Sequence, residues 1–320
     1  MDDLRPATRP EAAFPVRLIA LDLDGTVIGH DFRISDRTAT AIREAVARGV
    51  KVSIATGRMA SSAAVYAHEL GLTEPIVAHQ GAVVRAMASR RVSIDPAELP
   101  FRAPVGRILH HTPMAAKVAR EAVAWCLARG LDPHVNDLER IVVWRGDARF
   151  EDYSGYLGPD ADIVADLAAS IRKPVSKVIA VGDPPRPMEL IEDARRDFAG
   201  RAGATVSHPR FLEFVGPGVS KGRAVAWLAD RAGIPMSQVM TVGDALNDIE
   251  MIGDAGHGAA MASAPSVVRA AARYVAAPVE EDGVGRLIEA LVLAPIEEAR
   301  RNGERLAAEA LAAPAGADAS

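Results

Sequence analysis

An α/β fold, with a parallel sheet covered by helices and a large α+β insertion, is predicted by three features of the 320-residue sequence. Short apolar runs alternate with amphipathic helical stretches toward both ends, the pattern of a parallel sheet with helices on both faces. That alternation is broken between residues 84 and 209, where strand-like segments mix with proline-rich joints. The length also exceeds that of a usual single domain, so two domains, or one domain carrying an insertion, are expected.

Taken in order, residues 1–15 carry three prolines and mixed charge and are expected to be unstructured. Residues 16–21 form the first buried strand. Ser35 is an N-cap, Ala39, Ile42 and Val46 fall at helical spacing, and Gly49 stops the helix. Residues 51–55 are a second strand, 61–70 a helix stopped by Gly71, and 76–78 a third strand. The insertion over 84–209 holds strand candidates at 140–144 and 177–181 and helical patterns at 115–129 and 188–199. Strands then recur at 211–215, 238–242, 258–261 and 274–276, with a helix at 223–232. The sequence thus divides into core segments 16–83 and 210–300, an inserted domain 84–209, and a flexible tail 301–320 of mostly small residues.

Bulk properties narrow the function classes. The formal charge is -5 and the arginines are scattered, which disfavours a nucleic-acid partner. The single cysteine, Cys126, excludes an internal disulfide and a cysteine-cluster metal site and suits a reducing compartment. No apolar run has the ~18 residues of a membrane helix, and the N-terminus lacks the apolar centre of a signal peptide. A cytoplasmic protein is expected, with no membrane partner.

Four motifs follow predicted strands, the place where open α/β sheets bind ligands. Asp22-Leu23-Asp24-Gly25-Thr26 offers two carboxylates, one able to attack phosphorus and one able to move protons. Thr56-Gly57-Arg58 supplies a hydroxyl and backbone amides at a helix start, suited to phosphate oxygens. Gly218-Val219-Ser220-Lys221-Gly222 places a lysine where it can act as a point charge. Gly243-Asp244-Ala245-Leu246-Asn247-Asp248 carries the acidic oxygens that Mg²⁺ prefers. Each alone has a bland reading, respectively a solvated Asp-Gly turn, a helix cap, an exposed lysine and a polar turn. Four such coincidences at the ends of strands in one alternating sheet are a different matter.

These motifs, in this order, resemble the haloacid dehalogenase superfamily, specifically its Cof-type sugar-phosphatase-like branch with a class IIB cap. The resemblance spans about residues 16–291, and Asp282-Gly283-Val284 is similar to the family's closing segment. It implies a Rossmann-like parallel-sheet core, an inserted α+β cap that selects the substrate, and a Mg²⁺-dependent phosphatase acting on a small phosphorylated metabolite. By the same resemblance Asp22 is the nucleophile and Asp24 the general acid/base. Thr56, Gly57, Lys221 and Asn247 hold the phosphoryl group. Asp22, Asp244 and Asp248 hold the metal together with the backbone carbonyl of Asp24. Where many relatives have Asn-Gly-Ala after the third strand, this chain has Gln80-Gly81-Ala82, which leaves Gln80 open between a substrate contact and a structural role.

A phosphomutase or phosphotransferase using the same nucleophile, or a non-catalytic phosphometabolite-binding protein, are the alternatives. Hexose and other sugar phosphates, pyridoxal phosphate and flavin mononucleotide all remain compatible substrates, and the oligomeric state is open. His110 and His111 point in different directions as chain neighbours and lack a third ligand, so a metal role is not expected. Cys126 reads as a buried structural thiol. Trp125, Trp144, His134 and Arg145 either line the substrate face of the insertion or pack within it.

Overall fold

The computed structural model describes residues 11–90, 92–94, 100–144 and 161–302. The expectations for residues 1–10 and 303–320, and for Arg145, lie outside these. Strand β1 (Leu18–Leu21) is buried along its whole length, as a central parallel strand must be. Its side chains alternate between two cores: Ile19 and Leu21 pack on one face of the sheet, Leu18 and Ala20 on the other. Helix α1 (Asp36–Ala47) begins at Ser35, whose side chain accepts from the Thr38 amide, as its sequence predicts. Strand β2 (Lys51–Ile54), helix α2 (Ala60–Glu69) and strand β3 (Ile76–Ala78) follow.

Strand β4 (Val83–Met87) pairs antiparallel with β3, and β5 (Val105–His111) pairs antiparallel with β4. Beyond them come helix α3 (Ala116–Leu127), strands β6 (Asp132–Asp137), β7 (Arg140–Trp144), β8 (Ala161–Val164) and β9 (Lys177–Val181), helix α4 (Ile191–Asp197), and strands β10 (Gly203–His208) and β11 (Phe211–Val215). The chain closes with helix α5 (Lys221–Arg231), strand β12 (Val239–Gly243), helix α6 (Ile249–Asp254), strand β13 (His257–Met261), helix α7 (Ser266–Ala271), strand β14 (Tyr274–Ala276) and helix α8 (Gly283–Ile288).

The first sheet is five-stranded and parallel, in the order β14-β13-β12-β1-β2. A parallel bridge from Ala55 to Val77 extends it to β3. Because β1 continues into β2 on one side and pairs with β12 on the other, the strand order reverses at β1, which opens a crevice at its carboxyl end. The second sheet runs β10-β11-β9-β6-β7-β8 and is antiparallel except where β7 meets β8. One face of it packs on α3 and α4 through Ala119, Val123, Ala194 and Phe198, a core separate from those of the first sheet.

Three placements differ from the sequence expectations. Residues 211–215, assigned to the 210–300 core segment, form β11 and pair antiparallel with β9, so they belong to the second sheet. Their apolar composition suits either sheet, and only the pairing partner decides. Conversely, nearly all of β4 and all of β5 fall inside the 84–209 insertion, yet they form one sheet with β3 in the order β3-β4-β5, because the turn at residues 79–81 folds β4 straight back on β3. At the N-terminus, residues 11–15 are tied down: the Ala13 amide donates to Ser237 O at 2.9 Å and the Ala13 carbonyl meets His257 Nε2 at 3.0 Å.

Candidate active site

Each motif sits on a strand end of the first sheet or at the start of a helix beside it. Asp22 follows β1, Thr56 follows β2, Asp244 follows β12, and Lys221 opens α5 beyond the Ser220 cap, whose side chain accepts from the Arg223 amide. Gly25 has φ +74°, and a Cβ there would come within 2.5 Å of Asp244 Oδ2, so the turn after β1 needs glycine on both counts.

At the centre is a fully buried lysine. Lys221 Nζ lies 2.7 Å from Asp22 Oδ1 and 2.7 Å from Asp248 Oδ1. The other oxygen of Asp248 accepts from the Asp244 and Ala245 amides, both at 3.0 Å. Thr26 Oγ1 donates to Asp244 Oδ1 at 3.2 Å. Carboxylate oxygens of Asp22, Asp244 and Asp248 lie within 4.8 Å of one another. Burial opposes the Lys221 ammonium, but Asp22 and Asp248 outweigh it and hold its pKa above the ordinary lysine value. Burial raises Asp22 well above the usual carboxylate range, partly offset by Lys221 and reinforced by Asp248 and Asp244. Burial and the nearby Asp248 push Asp244 up to about 7.

When all three are ionised, the carboxylates outnumber the one ammonium by two charges in a buried space, which is why Asp22 and Asp244 hold their protons so strongly. An all-oxygen donor set with that excess suits a hard divalent cation, so these residues fit the metal the resemblance implies. His110 and His111 lie apart from this cluster, on β5, where His110 Nε2 pairs with Thr112 Oγ1 at 3.0 Å and His111 Nε2 with Ser176 Oγ at 3.3 Å.

The Asp24 side chain stands outside the carboxylate cluster. Arg58 grips it with two parallel hydrogen bonds, Nε to Oδ2 at 2.8 Å and Nη2 to Oδ1 at 2.5 Å, while the guanidinium lies 5.5 Å from the ring centroids of Phe32 and Tyr66. Asp24 is nonetheless half exposed, so proton exchange with a bound molecule requires it only to turn within or out of this grip.

A cavity of about 130 Å³ joins these groups. Asp22, Asp24, Thr56, Gly57, Lys221 and Asn247 form its floor, and residues of β9, β10 and β11, among them Lys177, His208 and Glu213, form its opposite wall. Thr56 is buried, and its Oγ1 accepts from the Arg58 amide at 3.2 Å. Of the side chains left open by the sequence, Trp125 packs edge-on against Phe198 and Phe214 and donates to Asp197 at 2.8 Å. Trp144 packs against the same core, and His134 is fully buried in β6. Cys126 is likewise buried on α3, and burial drives its thiol pKa upward.

Sequence reasoning missed the wall. Lys177 Nζ donates to Glu213 Oε2 at 2.7 Å and to the Gly57 carbonyl at 2.6 Å, an ion pair almost wholly out of solvent that ties the second sheet to the loop after β2. A signal was present: Lys177 opens the apolar run KVIAV and Glu213 interrupts the apolar run FLEFV, and charges of opposite sign in two buried strands seek each other. Gln80 also lines the cavity, with its own partners: its Nε2 donates to Glu213 Oε1 at 2.7 Å and its Oε1 accepts from Asn247 Nδ2 at 2.8 Å.

With this geometry in view, comparison with known proteins is decisive for the family. Residues 19–288 match the model of the haloacid dehalogenase-like hydrolases. The chain belongs to that family. Among its relatives, this hydrolase is 29% identical over 285 residues to the 5-amino-6-(5-phospho-D-ribitylamino)uracil phosphatase YcsE of Bacillus subtilis, covering 87% of this chain and 96% of that one. It is 28% identical over 298 residues to the putative phosphatase YxeH of the same organism, covering 87% and 99%. In fold it is similar to a putative HAD/COF-like hydrolase from Plasmodium vivax, with a TM-score of 0.73 at 21% identity over 86% of this chain and 94% of the other.

Proposed function

We propose that this hydrolase is a Mg²⁺-dependent phosphatase that cleaves a small phosphate monoester through a phosphoaspartate at Asp22. The observation that carries the reading is the position of Asp22, buried at the strand-order reversal, bonded to Lys221 and grouped with Asp244 and Asp248 at a cavity. The names of the two Bacillus relatives agree with it.

Asp22 Oδ attacks phosphorus while the ester P–O bond breaks, and Asp24 gives its proton to the departing oxygen. A water then attacks the phosphoaspartate, Asp24 takes its proton, and inorganic phosphate leaves as Asp22 is restored. Thr56, the Gly57 amide, Lys221 and Asn247 bind the phosphoryl oxygens; the ammonium is already inside, so its charge needs no reorganisation in the transition state. Asp22, Asp244 and Asp248, with the Asp24 carbonyl, would hold the cation. A bound Mg²⁺ supplies Lewis-acid stabilisation of the charge on the phosphoryl group and offsets the excess of carboxylates.

The substrate is a phosphorylated small molecule whose remaining atoms fit between the floor and the wall of β9, β10 and β11. No helix among the described residues is long and apolar enough to cross a membrane. The test is Asp22→Asn, which keeps the shape and removes the nucleophile. Phosphate release from a panel of phosphorylated metabolites should fall by at least about 10³-fold, and unchanged turnover would remove Asp22 from the mechanism. Transfer of phosphate to added alcohols in place of release would favour a phosphotransferase.

A further inference from the structure

Asn247 is an amide whose two ends differ in what they can do for a phosphoryl group, since only Nδ2 donates. Its Oδ1 is buried and has no partner among the described residues, so nothing at that end selects one orientation over its flip. The selection comes from the other end, where Nδ2 meets Gln80 Oε1 at 2.8 Å.

Gln80 is itself an amide and could present either end. Its partner on the far side decides: Glu213, ion-paired to Lys177, can only accept, so it takes Gln80 Nε2 at 2.7 Å and forces Oε1 toward Asn247. Ser207 Oγ also donates to Glu213 Oε1. The direction of every hydrogen bond in the line from Lys177 through Glu213 and Gln80 to Asn247 is therefore set by one charge in the second sheet. The geometry is tightly held. Gln80 is buried at a positive φ of 61°, and a Cβ on Gly57 would collide with its Nε2.

We infer that Gln80 is a positioning residue, fixing the Asn247 carboxamide with Nδ2 presented and transmitting that polarity from the Lys177–Glu213 pair of the substrate-side wall. The inference rests on the phosphatase reading above, in which Asn247 binds phosphate. It explains why a residue lodged between two phosphate-binding loops contacts the opposite wall.

A double-mutant cycle on the full chain tests it, with p-nitrophenyl phosphate for kcat/KM and inorganic phosphate for affinity by calorimetry. Gln80→Leu should lower both quantities ~10-fold, the scale of one misdirected hydrogen bond, but should have little further effect when Asn247 is already alanine. Equal losses in the two backgrounds, or no loss in the wild-type background, would overturn the role. Should the leucine variant not fold, Gln80→Glu is the isosteric substitute. It should be impaired alone, by facing Glu213 with a second acid, and recover when combined with Glu213→Gln, which restores a donor opposite an acceptor and keeps an oxygen toward Asn247. Failure of that combination to recover either quantity would also refute the assignment. The underlying phosphatase reading fails by a separate signature, turnover that survives Asp22→Asn, and the phosphate-affinity cycle does not depend on that nucleophile.

Discussion

Replacing Lys221 by methionine removes the one ammonium from a cluster of three acids while keeping most of the buried stem. At 2.7 Å, each of its contacts with Asp22 and Asp248 is worth roughly 6 kcal/mol of attraction at an effective dielectric of about 20. Desolvation of the ions cancels most of that, so the expected loss of stability is that of breaking a buried pair, ~3–5 kcal/mol at neutral pH. The penalty depends on pH with a definite sign. Burial already raises Asp22 and Asp244, and without the ammonium they take up protons more readily in the folded than in the unfolded chain. A native state that binds extra protons loses stability as pH rises from the unfolded carboxylate pKa through the raised one. The variant should therefore be closest to wild type near pH 5 and furthest from it at pH 8. Urea or thermal unfolding followed by circular dichroism in EDTA, at both pH values, measures this; phosphate release, measured separately with Mg²⁺, should drop ~10²–10³-fold. A variant with wild-type stability at pH 8, or a penalty larger at pH 5 than at pH 8, would refute the charge-balance argument.

Other consequences can be checked independently. Because Asp244 is pushed up to about 7, protons compete with the cation, and apparent Mg²⁺ affinity should weaken about tenfold per unit as pH falls below 7; activation curves from pH 8 to 6 that superimpose would contradict it. Gly25→Ala places a methyl against Asp244 at φ +74° and should cost about 1–3 kcal/mol together with Mg²⁺ affinity, the latter read by calorimetry. Burial lowers both His79 and His134 to about 3. Between that value and 6.5 the unfolded chain binds the extra proton, so each histidine removes about 1.4 kcal/mol of stability per pH unit on acidification. His134→Leu should flatten the pH dependence of unfolding between pH 6 and 4 by that amount relative to wild type, and an unaltered slope would discount the buried neutral imidazole.

The parallel sheet was legible because its strands are uniformly apolar and end in motifs whose chemistry is local. Asp22, Asp24, Thr56 and Asp244 need only a strand to end and a glycine-assisted turn to follow. Lys221 was legible as a residue, though its depth was not: nothing in GVSKG says that the ammonium lies fully buried between two carboxylates. The sheet partner of β11 was illegible in principle, since FLEFV is buried in either sheet and its assignment rests on pairing with Lys177–Val181, from which helix α4 and strand β10 separate it in the chain. The same pairing, with β6 on the other side of β9, builds much of the cavity wall opposite Asp22. The less legible half of the site is thus the half assembled from antiparallel strands distant in sequence, whose cavity-facing residues carry no motif.

Asp22 and Asp24 also illustrate how two identical side chains two residues apart acquire different work. Residues two apart on a continuing strand would share a face, but the strand ends at Leu21 and the chain turns through Gly25 at φ +74°, which leaves Asp22 against Lys221 and Asp24 half exposed against Arg58 at the cavity's edge. A nucleophile must be desolvated and charge-compensated, which burial beside an ammonium supplies. An acid/base that serves both a leaving group and a water must reach both, which burial would prevent. Arg58 limits the rotamers of Asp24 without enclosing it, since the aromatic rings of Phe32 and Tyr66 hold the guanidinium from behind. The division of labour proposed for the pair therefore follows from where the strand ends and which cation meets each carboxylate, with no difference in chemistry between the two residues themselves.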